Sequence, residues 1–201
     1  DSTNATKTVS RSQVISITAG TPTTLAISST SQTVVNRATL SDIALTVRDD
    51  YGNAAAFGSP TSIAATVSAG ANLGLTPTVS GTTTRSTDSN SSIATFSGLA
   101  LSAKVDTYTL TFASTGLAST THTVRVTHGA ASNLVVSAPT TAANDRNFGS
   151  NVVVDIVDLD GNVVTSGAQS TQTISLTADT TLTGTRAISA TAGRATFIGL
   201  R

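Results

Sequence analysis

The chain contains an internal repeat, which begins at Gly20 with GTPTTLAIS and again at Gly129 with GAASNLVVS. The same spacing of 109 residues relates two turn sequences, DDYGN and DLDGN, each of which follows an alternating apolar run. Solenoid repeats and single propeller blades are only about 20–50 residues long, so a repeat of this length predicts successive compact domains. We therefore predict one complete domain over residues 20–128 and a second over residues 129–201.

The repeat also extends to both ends of the chain. VISITAG ends at Gly20 as VRVTHG ends at Gly129, so residues 12–19, within an N-terminal segment 1–19, are predicted to form the last strand of a preceding repeat. A second shared sequence, ATFSGL in the first copy and ATFIGL in the second, lies close to residue 201 in the second copy. We therefore expect the second domain to be truncated at its C-terminal end and to lack its last strands.

Apolar and polar residues alternate along most of the repeat, which is the pattern of β-strands with one buried face. Strands are predicted in the complete copy at residues 23–29, 40–49, 61–69, 75–80, 92–98, 106–114 and 121–128. The side chains predicted to face the core are Ile43, Leu45, Val47, Tyr108, Leu110, Phe112, Val124 and Val126, with Val152, Val154 and Ile156 in the second copy and Val157 facing outward. Seven short alternating strands per repeat predict an antiparallel β-sandwich of two sheets.

The composition favours strands and argues against several classes of function. All 11 acidic residues are Asp, and the chain has no Glu, Met, Cys or Trp, so strong helix formers are scarce. The 11 Lys and Arg residues are scattered and the formal net charge is zero, whereas a nucleic-acid-binding protein normally has a basic patch. No apolar run approaches the roughly 18 residues of a membrane-spanning helix. Low charge, no thiols and abundant Ser and Thr are typical of a secreted surface protein.

Three short motifs resemble bacterial immunoglobulin-like repeats, including the invasin-like ones. The motifs are V-x-D-x-x-G-N after the second predicted strand, A-T-F-x-G-L at the fifth and Y-T-L-T-F at the sixth. Such repeats stack in tandem in adhesins, S-layer proteins and other large surface proteins. The resemblance implies an all-β chain of tandem immunoglobulin-like (Ig-like) antiparallel β-sandwich domains on the extracellular cell surface of a bacterium. It implies a structural role in an adhesin stalk, an S-layer or a sheath-type assembly, without catalysis and without a required cofactor.

The same resemblance indicates the partners of the chain. These are neighbouring repeats or copies of the same protein, together with a host or surface receptor or a glycan. The alternative function is a carbohydrate-binding or accessory module of a secreted enzyme, which would need an aromatic platform on one face. The chain has only two tyrosines, Tyr51 and Tyr108, and most of its five Phe residues occupy core positions of the alternating pattern, so this alternative is the weaker one.

The repeated turn has a structural and a functional interpretation. Asp49 and Asp158 can cap the turn through their side chains, and the glycine that follows supplies a positive φ. In DLDGN, however, Asp158, Asp160 and Asn162 place three oxygen-bearing side chains at alternate positions, as the start of an EF-hand loop does, and this spacing predicts a calcium site. Tyr51 replaces Asp160 in the first copy, and no bidentate Glu follows either turn.

Other candidate residues carry weaker signals. Asn4 and Asn90 begin the sequons NAT and NSS, which predict N-glycosylation. Lys104 is predicted to be a solvated loop lysine. The two histidines, His122 and His128, are not accompanied by a G-x-S-x-G nucleophile motif, so we predict no enzymatic activity.

Overall fold

The structure, a computed structural model, describes residues 11–29, 31–68, 75–143, 146–179 and 181–201. The regular elements within these residues are β-strands and one short 3-10 helix, Ala168–Thr171. No helix among them is long and apolar enough to cross a membrane. The chain is therefore all-β, in agreement with its shortage of helix formers and its wealth of Thr, Ser and Val.

The first unit, residues 20–128, has three more strands than the seven predicted. Its strands are β1 (Pro22–Ile27), β2 (Ser31–Val35), β3 (Ile43–Asp49), β4 (Ser62–Val67), β5 (Thr78–Ser80), β6 (Thr84–Ser86), β7 (Ile93–Phe96), β8 (Ala100–Ser102), β9 (Thr107–Ala113) and β10 (Thr120–Thr127). Each predicted strand overlaps an observed one, and β2, β6 and β8 are additional. β6 and β8 have three residues each, fewer than the four to eight over which an alternating pattern is recognised.

Two sheets of the first unit enclose one hydrophobic core. One sheet has the strand order β1-β3-β7 and the other β2-β10-β9-β4-β6, while β5 and β8 form a separate pair. Leu45 and Phe96 from the first sheet belong to the same buried cluster as Leu110 and Phe112 from the second. The rings of Phe96 and Phe112 meet edge to face with centroids 5.0 Å apart. All the side chains of this unit that were predicted to face the core are buried, which confirms the predicted alternation.

Strand β2 departs from the predicted antiparallel arrangement. After β1 the chain crosses to the second sheet, where β2 pairs in parallel with β10 and Val34 lies opposite Val126. The other strand pairs are antiparallel. The sequence does not reveal this crossover, because only one of the five β2 side chains is buried and the strand has no apolar face to identify it.

The second unit, residues 129–201, repeats the first sheet. Its strands are β11 (Asn133–Ser137), β12 (Val152–Val157), β13 (Thr173–Ser175), β14 (Ala187–Ser189) and β15 (Arg194–Phe197). The order β11-β12-β15 corresponds to β1-β3-β7, and Val152 pairs with Phe197 as Ile43 pairs with Phe96. β13 and β14 form a two-stranded sheet, and Ile174 of β13 joins Val154 and Phe197 in a second core.

Residues 12–19 form no strand in this structure, and Val14 in this segment is 92% exposed; their assignment as the last strand of a preceding repeat stays a prediction. One detail of the sequence prediction is wrong. Val157 was predicted to face outward but is buried. It lies at the end of β12, where Asn133 pairs with it on one side and Val163 bridges to it across the following turn.

Candidate functional site: a polar joint between the two units

The turn that follows β12 brings polar side chains to the junction between the two units. Asp158 Oδ1 accepts hydrogen bonds from the backbone N–H groups of Asp160 at 3.0 Å and Asn162 at 2.9 Å. Its Oδ2 accepts a hydrogen bond from the N–H of Gly129 at 2.8 Å. Gly161 has a φ of 74°, a left-handed conformation that glycine adopts without steric cost. The Asp158 carboxylate therefore caps the turn and fixes it to the first residue of the second unit.

The turn that follows β3 has the same internal geometry. Asp49 Oδ1 accepts hydrogen bonds from the N–H groups of Tyr51 at 3.0 Å and Asn53 at 2.8 Å, and Oδ2 accepts one from Gly20 N–H at 2.8 Å. Gly52 has a φ of 82°. The hydrogen bond from Gly20, with further ones from Asn53 and Tyr51, outweighs burial and lowers the pKa of Asp49 to about 2. The predicted capping role is confirmed for both turns.

The two turns differ in what covers them. Asn162 is only 5% exposed, and its side chain binds the loop that follows β8 in the first unit. Its Nδ2 donates to the carbonyl of Ala103 at 3.0 Å, and its Oδ1 accepts from the N–H of Val105 at 2.8 Å. Asn53 is exposed, and within the described part of the chain its side chain bonds only to Asp49. The second turn is therefore inserted into the end of the first unit.

Asn36, which follows β2 in the first unit, also connects the two units. Its Nδ2 donates to Asp158 Oδ2 at 3.0 Å and to Asp160 Oδ2 at 2.7 Å, while its Oδ1 accepts from the N–H of Ala103 at 3.0 Å. Asn36 is buried, and a buried amide is tolerated when both its donors and its acceptor have partners. Asn36 meets this condition because it donates to two carboxylates of the second unit and accepts a hydrogen bond from the backbone of the first.

Asp160 is the charged centre of the joint. Arg37 contacts both of its carboxylate oxygens, with Nε 2.8 Å from Oδ2 and Nη2 2.5 Å from Oδ1, and Ser102 Oγ donates to Oδ2 at 2.9 Å. Lys104 Nζ donates to the backbone carbonyls of Asp160 at 2.7 Å and Gly161 at 3.0 Å. The Asp160 side chain is 6% exposed and that of Arg37 is 48% exposed, so the carboxylate is enclosed while the guanidinium keeps contact with solvent.

These contacts keep both carboxylates of the joint ionised. The hydrogen bond from Arg37 is the main cause that lowers the pKa of Asp160 to about 2; burial opposes it, and Asn36 and Ser102 add to it. Burial raises the pKa of Asp158, but the hydrogen bonds from Gly129, Asn162 and Asn36 together outweigh burial, so its pKa also lies below its ordinary value. The joint therefore contains two carboxylates that are charged at neutral pH and are satisfied by protein donors.

Calcium binding at Asp158, Asp160 and Asn162 remains a prediction of the sequence. The structure brings the three residues together, but it gives their oxygens other partners, including the Arg37 guanidinium and the N–H of Val105. Among the described residues, no group of three or more His, Cys, Asp or Glu side chains comes together in a way that could hold a metal ion. A calcium ion, which requires six to eight oxygen ligands, would have to displace these donors.

A cleft of about 470 Å³ opens beside the joint. Its lining includes Lys104, Arg125, His128, Asn162 and Ser166. His128 Nε2 lies 2.9 Å from Ser166 Oγ, and His128 Nδ1 lies 3.0 Å from the carbonyl of Gly129. None of the described residues that line the cleft carries a carboxylate, so the Ser–His contact lacks the acidic partner of a catalytic triad. The contact links the two units across their connecting segment.

The remaining residues singled out in the sequence are not part of the joint. Asn90 is exposed in a turn between β6 and β7, and its glycosylation remains a prediction. Asn4 lies outside the described residues. Tyr51 is 90% exposed, whereas Tyr108 is buried and donates to the carbonyl of Lys104 at 2.9 Å. The structure therefore exposes one tyrosine, not the pair that an aromatic platform would use.

Sequence reasoning missed the half of the joint that the first unit supplies. Asn36 and Arg37 follow a strand that was not predicted, and Ser102 ends another. Lys104 was predicted to be a solvated loop residue, but its ammonium binds carbonyls of the second unit. Arg37 has a φ of 68°, which is uncommon for a residue other than glycine. No local signal identifies these residues, because their partners lie far away in the sequence.

Comparisons with known proteins give structural neighbours but no family. No protein-family model matches the chain, and no curated protein matches it. Solved structures that are similar to it include surface layer protein SbsC domains 4–9, S-layer protein rSbsC(31-844) and SbsC domains 1–6, with TM-scores of 0.35, 0.37 and 0.34. Each is 18% identical and covers 89% of this chain, which spans 29%, 23% and 23% of those chains. Similarity at this level carries no argument about function.

Proposed function

We propose that this chain is a pair of Ig-like β-sandwich repeats from an extracellular surface protein, and that its function is mechanical. The pair holds successive repeats in one fixed orientation within a stalk, an S-layer or a sheath-type array. The observation that carries the proposal is the joint between the units. A pair of independent modules needs only a linker, whereas here residues 158–162 of one unit are inserted into the end of the other.

The chemistry of the joint suits a rigid connection. Its hydrogen bonds run in both directions, since Asn36 and Arg37 of the first unit donate to the second and Asn162 of the second unit binds the backbone of the first. Hydrogen bonds and charged pairs have strict geometry, unlike apolar contacts, so they fix an angle as well as a distance. The composition, with low charge and no thiols, and the resemblance to tandem surface repeats support the same role.

Two observations favour this role over the alternatives. The single exposed tyrosine, Tyr51, offers no stacking platform for a sugar ring. The Ser–His contact of His128 connects the units and has no carboxylate among its hydrogen-bond partners in the described residues. A module that only spaces and orients its neighbours needs neither feature.

Small-angle X-ray scattering of the whole chain tests the proposal. We expect a single elongated particle whose maximum dimension does not change between low and high salt, because the Asp160 carboxylate is enclosed and weakly screened. The double variant Arg37→Ala/Asn162→Ala should give a broader distribution of distances. Asp155→Asn is the matched control, because it breaks an ion pair with Arg194 within the second unit. A wild-type chain that is as flexible as the double variant would contradict the proposal.

The surface location needs a separate measurement. Antibodies against residues 20–128 should label intact cells of the source organism, and added protease should remove the labelling. Labelling that appears only after the cells are broken would contradict an extracellular role.

A further inference from the structure

The first unit carries the same turn as the second, but within the described part of the chain no other unit covers it, and Tyr51, Gly52 and Asn53 are exposed. Asp49 binds Gly20 N–H at 2.8 Å as Asp158 binds Gly129 N–H at 2.8 Å. Both turns therefore have the same position relative to the segment that enters their unit. Asn53 lies at the position that corresponds to Asn162. The side-chain Nδ2 and Oδ1 of Asn162 both bind the backbone of the preceding unit. In the described part of the chain, Asn53 Oδ1 accepts no hydrogen bond.

The segment that enters the first unit supplies a second, independent observation. VISIT, which precedes Gly20, matches VRVT of β10, which precedes Gly129. In β10 the matching residues Val124 and Val126 are fully buried. In this structure Val14, Ile15 and Ile17 are exposed, and no described strand pairs with them. A segment that matches the closing strand of a repeat thus ends at Gly20, whose N–H binds Asp49 of the exposed turn.

From these two observations we infer that the turn at residues 49–53 is an interaction surface for the end of another repeat of the same fold, the repeat whose last strand is residues 12–19. This inference rests on the proposed function. The partner end presents a loop whose backbone N–H and C=O groups bind Asn53, as those of Val105 and Ala103 bind Asn162. It also presents a side-chain amide at the position that corresponds to Asn36. This amide of the partner repeat donates to the carboxylate of Asp49.

The middle position of the turn distinguishes the two junctions. Asp160 forms an ion pair with the guanidinium of Arg37, whereas the uncharged Tyr51 at the matching position cannot form one. The carbonyl of Gly52 is already bound by Arg48 of its own unit, whereas the carbonyl of Gly161 is bound by Lys104 of the neighbouring unit. The partner end therefore needs neither the arginine nor the lysine, and it makes an uncharged contact with the tyrosine ring.

A chain in which residues 20–128 occur twice in succession, with the rest unchanged, tests this inference. The end of the first copy then meets the turn of the second copy. Tyr51 is changed to Phe in the first copy, so that Tyr51 of the second copy is the exposed tyrosine whose fluorescence acrylamide can quench, since Tyr108 is buried and there is no Trp. We expect the Stern–Volmer constant of this tyrosine to fall at least threefold relative to the unmodified chain.

Two variants of the duplicated chain serve as controls. Asn53→Ala in the second copy should restore most of the quenching, and Asn53→Ala in the first copy should leave the protection intact. A quenching constant equal to or above that of the unmodified chain would overturn the inference. That outcome leaves the proposed function standing if the unmodified chain still scatters as one rigid particle, so the two failures can be told apart.

Discussion

Arg37 and Asp160 form a two-point ion pair across the junction, with the guanidinium Nε 2.8 Å from one carboxylate oxygen and Nη2 2.5 Å from the other. The two residues are 123 positions apart in the sequence. Ion pairs of exposed side chains contribute little to stability, but here the carboxylate is enclosed and Asn36 and Ser102 bind it as well. The pair therefore fixes orientation through its geometry, and the surrounding donors make its loss costly.

Removing the carboxylate should weaken the joint without unfolding either core. We expect Asp160→Ala to lower the free energy of unfolding by about 1–2 kcal/mol, because Asn36 and Ser102 lose their acceptor in a mostly buried place. Urea denaturation followed by circular dichroism measures the change. Asp155→Ala, which removes a similar but more exposed pair with Arg194, should cost less. Equal losses for the two variants would mean that enclosure at the joint adds nothing.

The joint should weaken in acid. The pKa of Asp160 is lowered to about 2 in the folded chain, below the value of about 3.9 expected in the unfolded chain. A group with a lowered pKa stabilises the folded state above its unfolded pKa, and this contribution is lost as the pH falls through the folded pKa. Stability due to Asp160 should therefore be complete above about pH 5 and disappear between about pH 4 and 2.

Urea midpoints of the wild type and Asp160→Asn between pH 6 and pH 2 measure this dependence. The variant should have the shallower acid slope. Part of the slope should remain, because the pKa of Asp49 is also lowered to about 2. Identical slopes for the two proteins would show that Asp160 is not held by Arg37 in solution.

The two equivalent asparagines should respond differently to the same substitution. Asn162→Ala should cost about 2 kcal/mol, since it leaves the buried carbonyl of Ala103 and the N–H of Val105 without their partners. Asn53→Ala should cost well under half as much in this chain, because its side chain is exposed and, among the described residues, bonds only to Asp49. Hydrogen exchange of the Val105 amide should accelerate at least tenfold in the Asn162 variant. Unchanged exchange there would show that the amide is protected by something else.

Gly81 should tolerate no side chain. Its φ is 93°, and a Cβ atom would lie 2.2 Å from the carbonyl oxygen of Gly98, so both strain and a clash with backbone oppose substitution. We expect Gly81→Ala to cost at least about 3 kcal/mol. Gly58→Ala is the matched control, because its φ of 71° is also positive but no atom lies within 4 Å of the added carbon. That variant should cost about 1 kcal/mol. Equal melting temperatures for the two variants would contradict the clash.

Calcium should leave the melting temperature unchanged. The oxygens of Asp158 and Asp160 already accept hydrogen bonds from Asn36, Gly129 and Arg37, and the DLDGN turn lacks the bidentate Glu of an EF-hand loop. Differential scanning calorimetry in EDTA and in millimolar Ca²⁺ compares the two states. An upward shift that disappears in Asp160→Asn would show that the metal displaces these donors, and it would confirm the sequence prediction of a calcium site.

Much of the fold follows from local patterns in the sequence. The alternation of Ile43, Leu45 and Val47 selects their buried face, because successive side chains of a strand point to opposite sides. The turn sequences predict the Asp caps and the positive φ of the glycines, because those contacts lie within five residues. The three-residue strands β6 and β8 and the exposed strand β2 carry no such pattern, and they were missed for that reason.

Local sequence patterns were enough to predict that the chain is all-β, that it repeats, and that the same capped turn closes a strand in each copy. What each turn binds depends on contacts between residues that are distant in the sequence. Asn36 and Asp158 are 122 positions apart, and a contact at that separation leaves no trace in local periodicity. Two turns with nearly the same sequence and the same internal hydrogen bonds therefore differ in their surroundings: the side chains of Asp160 and Asn162 are covered by a neighbouring unit, whereas Tyr51 and Asn53 are exposed.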